Sequence, residues 1–349
     1  MPTPLLEDVA GNAATAATEG GQYDVARNGT LVYLSGKSSP ASWPVAWMDS
    51  AGKTQPLLAA PSQYYMPRFS PDGERLALSV GPAGERDIQV YDWQHDTMSR
   101  LTFTQASLLP VWMPDGKHIV FRSQVPGRFS LRWMRTDGVG EAQLLLESKN
   151  VVVPYSLSPD GRRVAFGESG MDTGFDLWTL PLDVSDPEHP KPGKPELFLR
   201  TPFDEQDPAF SPDGRWIAYT SDESGRREVY VRPFPGPGGK WQVSTGGGGH
   251  PIWSRNGREL FYEGLDNHIM VAAYIAKADS FVADKPRHWS SAQIVERNIG
   301  WWNVDLAPDG KRFAVFPRPE ATGEQKGSVH VTVLLNFFDE LRRRVPPGR

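Results

Sequence analysis

The chain of 349 residues carries 34 Gly, 32 Pro, 12 Trp, 16 Phe and 10 Tyr. That is the turn content of an all-β protein, with more aromatics than disordered chains hold. A net charge of −5 argues against a nucleic-acid binder, which needs a basic face. The lack of cysteine excludes a disulfide framework, a thiolate zinc site and a cysteine nucleophile.

In chain order, the segment MPTPLLEDVAGNAATAATEGG has neither a basic start nor a long apolar stretch, so it is not read as a signal peptide. The chain has no apolar run long enough for a membrane-spanning helix. Either the protein is cytoplasmic, or Met1 begins a fragment whose targeting segment lies upstream. Residues 3–9, TPLLEDV, read as a strand.

Then a unit repeats. Asn28-Gly29, Asp72-Gly73, Asp115-Gly116, Asp160-Gly161, Asp213-Gly214, Asn256-Gly257 and Asp309-Gly310 are seven turns, spaced 44, 43, 45, 53, 43 and 53 residues apart. A period in the forties with four strands per unit marks a β-propeller. Three residues after each glycine stand Val32, Leu76, Ile119, Val164, Ile217, Leu260 and Phe313. The next column is mostly small: Tyr33, Ala77, Val120, Ala165, Ala218, Phe261 and Ala314. The third is apolar again: Leu34, Leu78, Phe121, Phe166, Tyr219, Tyr262 and Val315. Three such residues in a row predict a strand buried on both faces. The SPDG stretches are strand-to-strand turns, and their Asp residues cap the turn rather than carry chemistry.

Each unit continues with a half-covered third strand, such as DIQVYDW (87–93) or REVYVRPF (227–234), and an outermost fourth, such as MSRLTF (98–103). The seventh unit, 301–307, 311–317 and 328–336, lacks one strand. Residues 3–9 are expected to supply it and close the ring. The expectation is an all-β, seven-bladed propeller of four-stranded antiparallel blades, with six or eight blades as alternatives. It is read as one domain over 1–349 and as a monomer. Residues 337–349 form a short polar tail with one or two helical turns, stopped by Pro346-Pro347.

A site is expected on the face opposite the SPDG turns. The position six residues before each turn Asp or Asn opens the innermost strand. It reads Gln22, Met66, Leu109, Pro154, Asp207, His250 and Asn303. Asp207 and His250 fall on adjacent blades. A carboxylate beside an imidazole at a channel mouth suits a ligand, a divalent metal or a mutual hydrogen bond. Tyr64, Tyr65, Tyr155, Trp301 and Trp302 share those loops, with Glu205 in the acidic stretch FDEQD. The link STGGGGHP (244–251) lacks the Gly-Lys-Ser/Thr of a phosphate loop. No nucleophile elbow occurs, because GESGM (167–171) has the wrong spacing.

The repeat resembles TolB-like, WD-type propeller repeats in FSPDGRWIAYTS and LSPDGRRVAFGE. Residues 208–262, PAFSPDGRWIAYTS through RELFY, and the ending VTVLLNFFDELRRRVP resemble the C-terminal propeller region of bacterial membrane-anchored serine/threonine kinases. The kinase motifs themselves are missing, so no kinase residue carries over. The resemblance implies a sensor or docking propeller outside the cytoplasm. The expected function is a non-catalytic module that binds a protein or small molecule on its loop face, with no nucleic acid, no membrane segment and no cofactor. The alternative is a channel-mouth enzyme, a metal-assisted hydrolase, lactonase or lyase using Asp207 and His250.

Overall fold

The computed structural model describes residues 23–26, 28–35, 42–82, 84–170, 173–277, 280–295, 304–317 and 330–344. The chain divides into two compact units. The first comes from the two ends of the chain. It holds a three-stranded antiparallel sheet of Tyr23–Val25, Leu31–Ser35 and His330–Leu334, and a helix over Phe337–Arg344. That helix matches the expected one or two turns.

The second unit spans Trp43–Glu296 and Gly300–Arg318. Among its described residues are six antiparallel sheets, four with four strands and two with five. Blade 1 is Tyr64–Phe69, Arg75–Val80, Asp87–Asp92 and Thr97–Arg100. Blade 2 is Ser107–Trp112, His118–Val125, Arg128–Arg135 and Gln143–Ser148. Blade 3 is Val152–Leu157, Arg163–Ser169, Phe175–Asp183 and Glu196–Leu199, with Lys191–Pro192 also paired to its third strand. Blade 4 is Glu205–Phe210, Trp216–Ser221, Glu228–Pro233 and Trp241–Gln242. Blade 5 is Gly249–Trp253, Glu259–Glu263, His268–Lys277 and Arg287–Gln293, with Ser280–Ala283 extending the third strand into a hairpin. Blade 6 joins distant segments: Val304–Leu306 and Arg312–Val315 inside, Trp43–Asp49 and Thr54–Ser62 outside.

The apolar columns explain the packing. Leu76, Ile119, Val164, Ile217, Leu260 and Phe313 are fully buried, as are Ala77, Ala165, Ala218 and Ala314 beside them. Each alanine lets the next blade approach: Ala77 packs with Trp112 and Ile119, Ala165 with Phe210 and Ile217, Ala218 with Trp253 and Leu260. Trp112 Nε1 donates to the Arg68 carbonyl, and Trp253 Nε1 to the Ala209 carbonyl, both at 2.9 Å across a blade boundary. Further clusters join blades 2 and 3, 5 and 6, and 6 and 1, so apolar contact runs around the whole set.

The SPDG turns are capped as expected. The side-chain oxygen of the turn Asp or Asn accepts the N–H two residues on in all seven copies, at 2.8–3.1 Å. Positive φ belongs to the glycines alone, from 67° to 81°, and the Asp residues do not share it. In four copies a serine two residues earlier completes the box. Ser211 Oγ donates to Asp213 Oδ1 at 2.6 Å and accepts the Trp216 N–H at 3.0 Å.

Two expectations about the ends change. Six of the seven turns lie in the six sheets, and Asn28-Gly29 lies in the other unit. There Val32 is 38% exposed, whereas its six counterparts are fully buried. The last blade is also built differently from the expected 301–307, 311–317 and 328–336. Arg312–Val315 pairs with Trp43–Asp49, and His330–Leu334 pairs with Leu31–Ser35. The reason is the apolar face of Trp43–Asp49, which buries Val45, Ala46 and Met48 against blades 1 and 5. The proposed closing strand, 3–9, lies outside the described residues.

Candidate functional site

The face opposite the SPDG turns carries the strand-opening positions. Met66, Leu109, Asp207 and His250 all adopt left-handed backbone, with φ of 55°, 62°, 57° and 55°. At each the pairing with the second strand slips by a bulge. Non-glycine residues rarely take this conformation, and a bulge there re-aims the side chain. Blades 1 to 3 contribute an apolar sector of Met66, Leu109 and Tyr155. Blades 4 and 5 contribute a charged one.

Asp207 is 3% exposed and His250 8%. His250 Nε2 stands 3.6 Å from Asp207 Oδ2, and Nδ1 stands 3.4 Å from Glu263 Oε2. The imidazole thus sits between two carboxylates on its two nitrogens. Thr220 Oγ1 donates to Asp207 Oδ2 at 2.9 Å and accepts the His250 N–H at 3.3 Å. Asp207 Oδ1 and His250 Nε2 are buried without a hydrogen-bond partner. Burial works against the imidazolium, but the Asp207 and Glu263 charges outweigh it, and the His250 pKa is raised. Glu263 meets the other imidazole nitrogen, so Asp207, His250 and Glu263 do not present one ligand atom each to a common point.

The link STGGGGHP delivers His250 for steric reasons. A Cβ on Gly248 would lie 2.5 Å from the Tyr262 ring, and one on Gly247 only 2.2 Å from Leu265. The Gly247 N–H is tied to Glu228 Oε1 at 2.9 Å. Glu228 and Asp87 open the third strands of their blades and Asp176 is second in its own; all three are buried, each holding the link that follows. Asp87 accepts from Thr102 Oγ1 at 2.6 Å, and Asp176 from Arg200 Nε at 2.7 Å.

Glu205 is buried and accepts the Thr201 hydroxyl, and burial raises its pKa to about 7. Tyr155 is buried beside Asp207. Burial, then the Asp207 charge, holds its hydroxyl well above the usual phenol range, while the Asp207 backbone hydrogen-bonds it. Tyr65 lies under the Arg86 guanidinium, 4.0 Å from ring centroid to Cζ. Tyr64 packs in the core between blades 6 and 1. Trp301, Trp302, Asn303 and Gln22 lie outside the described residues. The structure therefore brings together Asp207, His250 and Tyr155 of the expected set, with Glu205 held apart on its own threonine.

Several site residues were not read from the sequence. They occupy one column, six residues after the turn glycine of each of the six sheets: Ser79, Arg122, Gly167, Thr220, Glu263 and Phe316. Ser79 Oγ accepts the Leu109 N–H at 3.1 Å, as Thr220 does for His250. Arg122 is held among Tyr155 and Arg86, and burial lowers its pKa to about 10. Its signal was legible, since Ser79, Arg122, Thr220 and Glu263 break the apolar run there.

Further down the axis lies a cavity of about 230 Å³ lined by Arg68, Trp112, Tyr155, Trp253, Arg255 and Asp305. Arg68 Nη1 pairs with Asp305 Oδ1 at 3.3 Å. Burial pulls the Arg68 pKa down and pushes that of Asp305 up, against their mutual attraction.

Residues 25–173 match the family described as PD40, TolB beta propeller domain. A curated relative, the uncharacterized peptidase YuxL of Bacillus subtilis (strain 168), is 27% identical over 211 residues, which is 47% of this chain. The match spans about a third of that relative's length, 31%. The putative TolB from Agrobacterium tumefaciens superposes with a TM-score of 0.58 at 17% identity, covering 79% of this chain and 98% of that one. The tricorn protease superposes at 0.52 with 15% identity, covering 75% of this chain and 26% of that one. At these identities the likeness is one of fold. Among the described residues no helix is long and apolar enough to cross a membrane. The repeat, the blades and the match over residues 25–173 together show a TolB-like β-propeller fold.

Proposed function

We propose that the six-sheet unit is a non-catalytic binding module whose channel mouth takes a ligand with a protonated amine at one end and an anionic group at the other, such as the terminal residue of a peptide. The carrying observation is Asp207 Oδ1, a buried carboxylate oxygen with no hydrogen-bond partner, on a residue held in left-handed backbone. A buried acceptor left unfilled costs stability, which is tolerated where a ligand supplies the donor. From Asp207 a polar arc runs through Tyr155 to Arg122 and Arg86, which suits a carboxylate. Met66 and Leu109 offer the apolar wall between. The resemblance to kinase-associated propellers supports a sensor or scaffold role outside the cytoplasm.

The test is a thermal-shift and calorimetric panel of dipeptides with free or acetylated N-termini, run on the parent and on Asp207→Asn. Free-amine peptides should stabilise the parent, acetylated ones should not, and the variant should respond to neither. A panel without a binder, or equal binding by Asp207→Asn, overturns the proposal.

A second reading has one observation in its favour. Glu263 faces His250 Nδ1 while Nε2 has no hydrogen-bond partner, the arrangement of an oriented general base. Turnover of an ester, lactone or peptide panel that disappears in His250→Gln would move the assignment to a channel-mouth hydrolase.

A further inference from the structure

Blade 5 carries a second cluster that the channel mouth does not use. Asp266 lies in the turn after the second strand, His268 opens the third strand and His288 lies near the start of the fourth. His268 Nδ1 and His288 Nε2 each stand 3.1 Å from the same oxygen, Asp266 Oδ2. The two imidazoles are stacked, with centroids 4.4 Å apart and planes 12° from parallel. One ligand atom from each residue falls within 4.8 Å of the other two.

From this geometry we infer that Asp266, His268 and His288 form a binding site for a first-row transition-metal ion of the zinc type. Two imidazole nitrogens and one carboxylate oxygen are the donor set that Zn²⁺ and its neighbours favour over Mg²⁺ or Ca²⁺. Two ligand atoms on one tetrahedral Zn²⁺ at Zn–N distances of about 2.05 Å lie about 3.3 Å apart. The two 3.1 Å separations lie within about 0.2 Å of that value.

The backbone holds the three residues independently of any ion. The His268 N–H donates to Asp266 Oδ1 at 3.2 Å, and the His268 carbonyl accepts the Gly264 N–H at 2.9 Å. Gln293 Nε2 donates to the Asp266 carbonyl at 3.0 Å, and the Ile294 N–H to the Asn267 carbonyl at 2.8 Å. His268 Nδ1 is buried and has no hydrogen-bond partner, only the ion-pair contact with Asp266. His288 and Asp266 are half exposed, so an ion can enter and a fourth position stays open to water or a ligand. With one open position on three protein ligands, the site has the count of a catalytic rather than a structural zinc.

The experiment titrates Zn²⁺ alone into the untagged full chain against a chromophoric chelator, with Co²⁺ absorption as the report on geometry. The parent should bind one equivalent, and Co²⁺ should give the strong visible bands of a four- or five-coordinate site. His288→Ala, on an exposed side chain, should keep the parent's circular dichroism and weaken Zn²⁺ binding by at least about a hundredfold, the upper end of what loss of an outer partner costs. His268→Ala should do the same. His250→Gln should bind like the parent, which separates this site from the channel mouth. Unchanged affinity in both His288→Ala and His268→Ala overturns the inference. So does a parent that takes up no Zn²⁺, or Co²⁺ bound with the weak spectrum of the hexaaqua ion.

Discussion

His250 Nε2 lies 3.6 Å from Asp207 Oδ2, and the contact crosses from blade 5 to blade 4. Two residues 43 positions apart in sequence, one repeat unit, thus form a single electrostatic unit with Glu263 on the other side of the ring. Its proton affinity gives a first prediction. The folded-state pKa of His250 is raised, with burial opposing and the two carboxylates prevailing, and Arg227 working against them. The stabilisation is fully present below the unfolded imidazole value of about 6.5 and fades as pH rises through the folded value. His250→Gln should therefore lower the denaturation midpoint more at about pH 6 than at about pH 9. An equal loss at both would mean that the imidazole is not held charged between Asp207 and Glu263.

Glu205 gives the opposite experiment. Its folded pKa is about 7, pushed up by burial, while the Thr201 hydroxyl works to hold it down. An unfolded Glu titrates at about 4.3. The stability tied to its proton is complete below that value and lost as pH rises to about 7 and beyond. Glu205→Gln cannot ionise and can still accept from Thr201. Its melting temperature relative to the parent should rise between about pH 4.5 and pH 8.5. A flat difference would show that Glu205 is already ionised and solvated in the fold.

Much of the blade was legible from sequence, because burial on both faces writes itself as three consecutive apolar residues. Leu76-Ala77-Leu78 and Ile217-Ala218-Tyr219 are such runs. Asp207 and His250 were legible as well, since their place is set by counting back from the turn. Other parts were not. The outer strands of blade 6, Trp43–Asp49 and Thr54–Ser62, contain prolines and follow no SPDG turn. The pairing of Trp43–Asp49 with Arg312–Val315 spans most of the chain, and no local pattern carries it. The metal-ligating cluster was hidden for a related reason. His268 and His288 meet only because the third strand of blade 5 runs on into a hairpin at Ser280–Ala283 before the fourth returns.

The turn aspartates give a prediction that separates geometry from function. Asp213 Oδ1 accepts the Arg215 N–H at 3.1 Å and the Ser211 hydroxyl at 2.6 Å, on the face away from Asp207. Asp213→Ala should cost about 1 kcal/mol, the worth of a lost cap. In a unit of this size that lowers the melting temperature by about 2–4 °C. Any ligand found for the channel mouth should bind it unchanged. A selective loss of binding with full stability would place the functional face at the SPDG turns.

The last prediction concerns closure. Blade 6 takes its inner strands from Val304–Leu306 and Arg312–Val315 and its outer ones from Trp43–Asp49 and Thr54–Ser62. Such a sheet joins both ends of its unit through the pairs Phe313 with Met48 and Ala314 with Trp47. Every first, second and third strand of the six sheets then has a partner without residues 1–42 or 319–349. A chain of residues 43–318 should fold alone, keep an all-β circular dichroism spectrum and unfold in one cooperative transition. Replacing Ala314, fully buried between blades, with Leu in that chain should lower its melting point, since an overpacked core costs about 1–3 kcal/mol. If residues 43–318 are instead molten, and adding back the N-terminal segment restores cooperativity, then the ring depends on residues 3–9 as the repeat count first suggested.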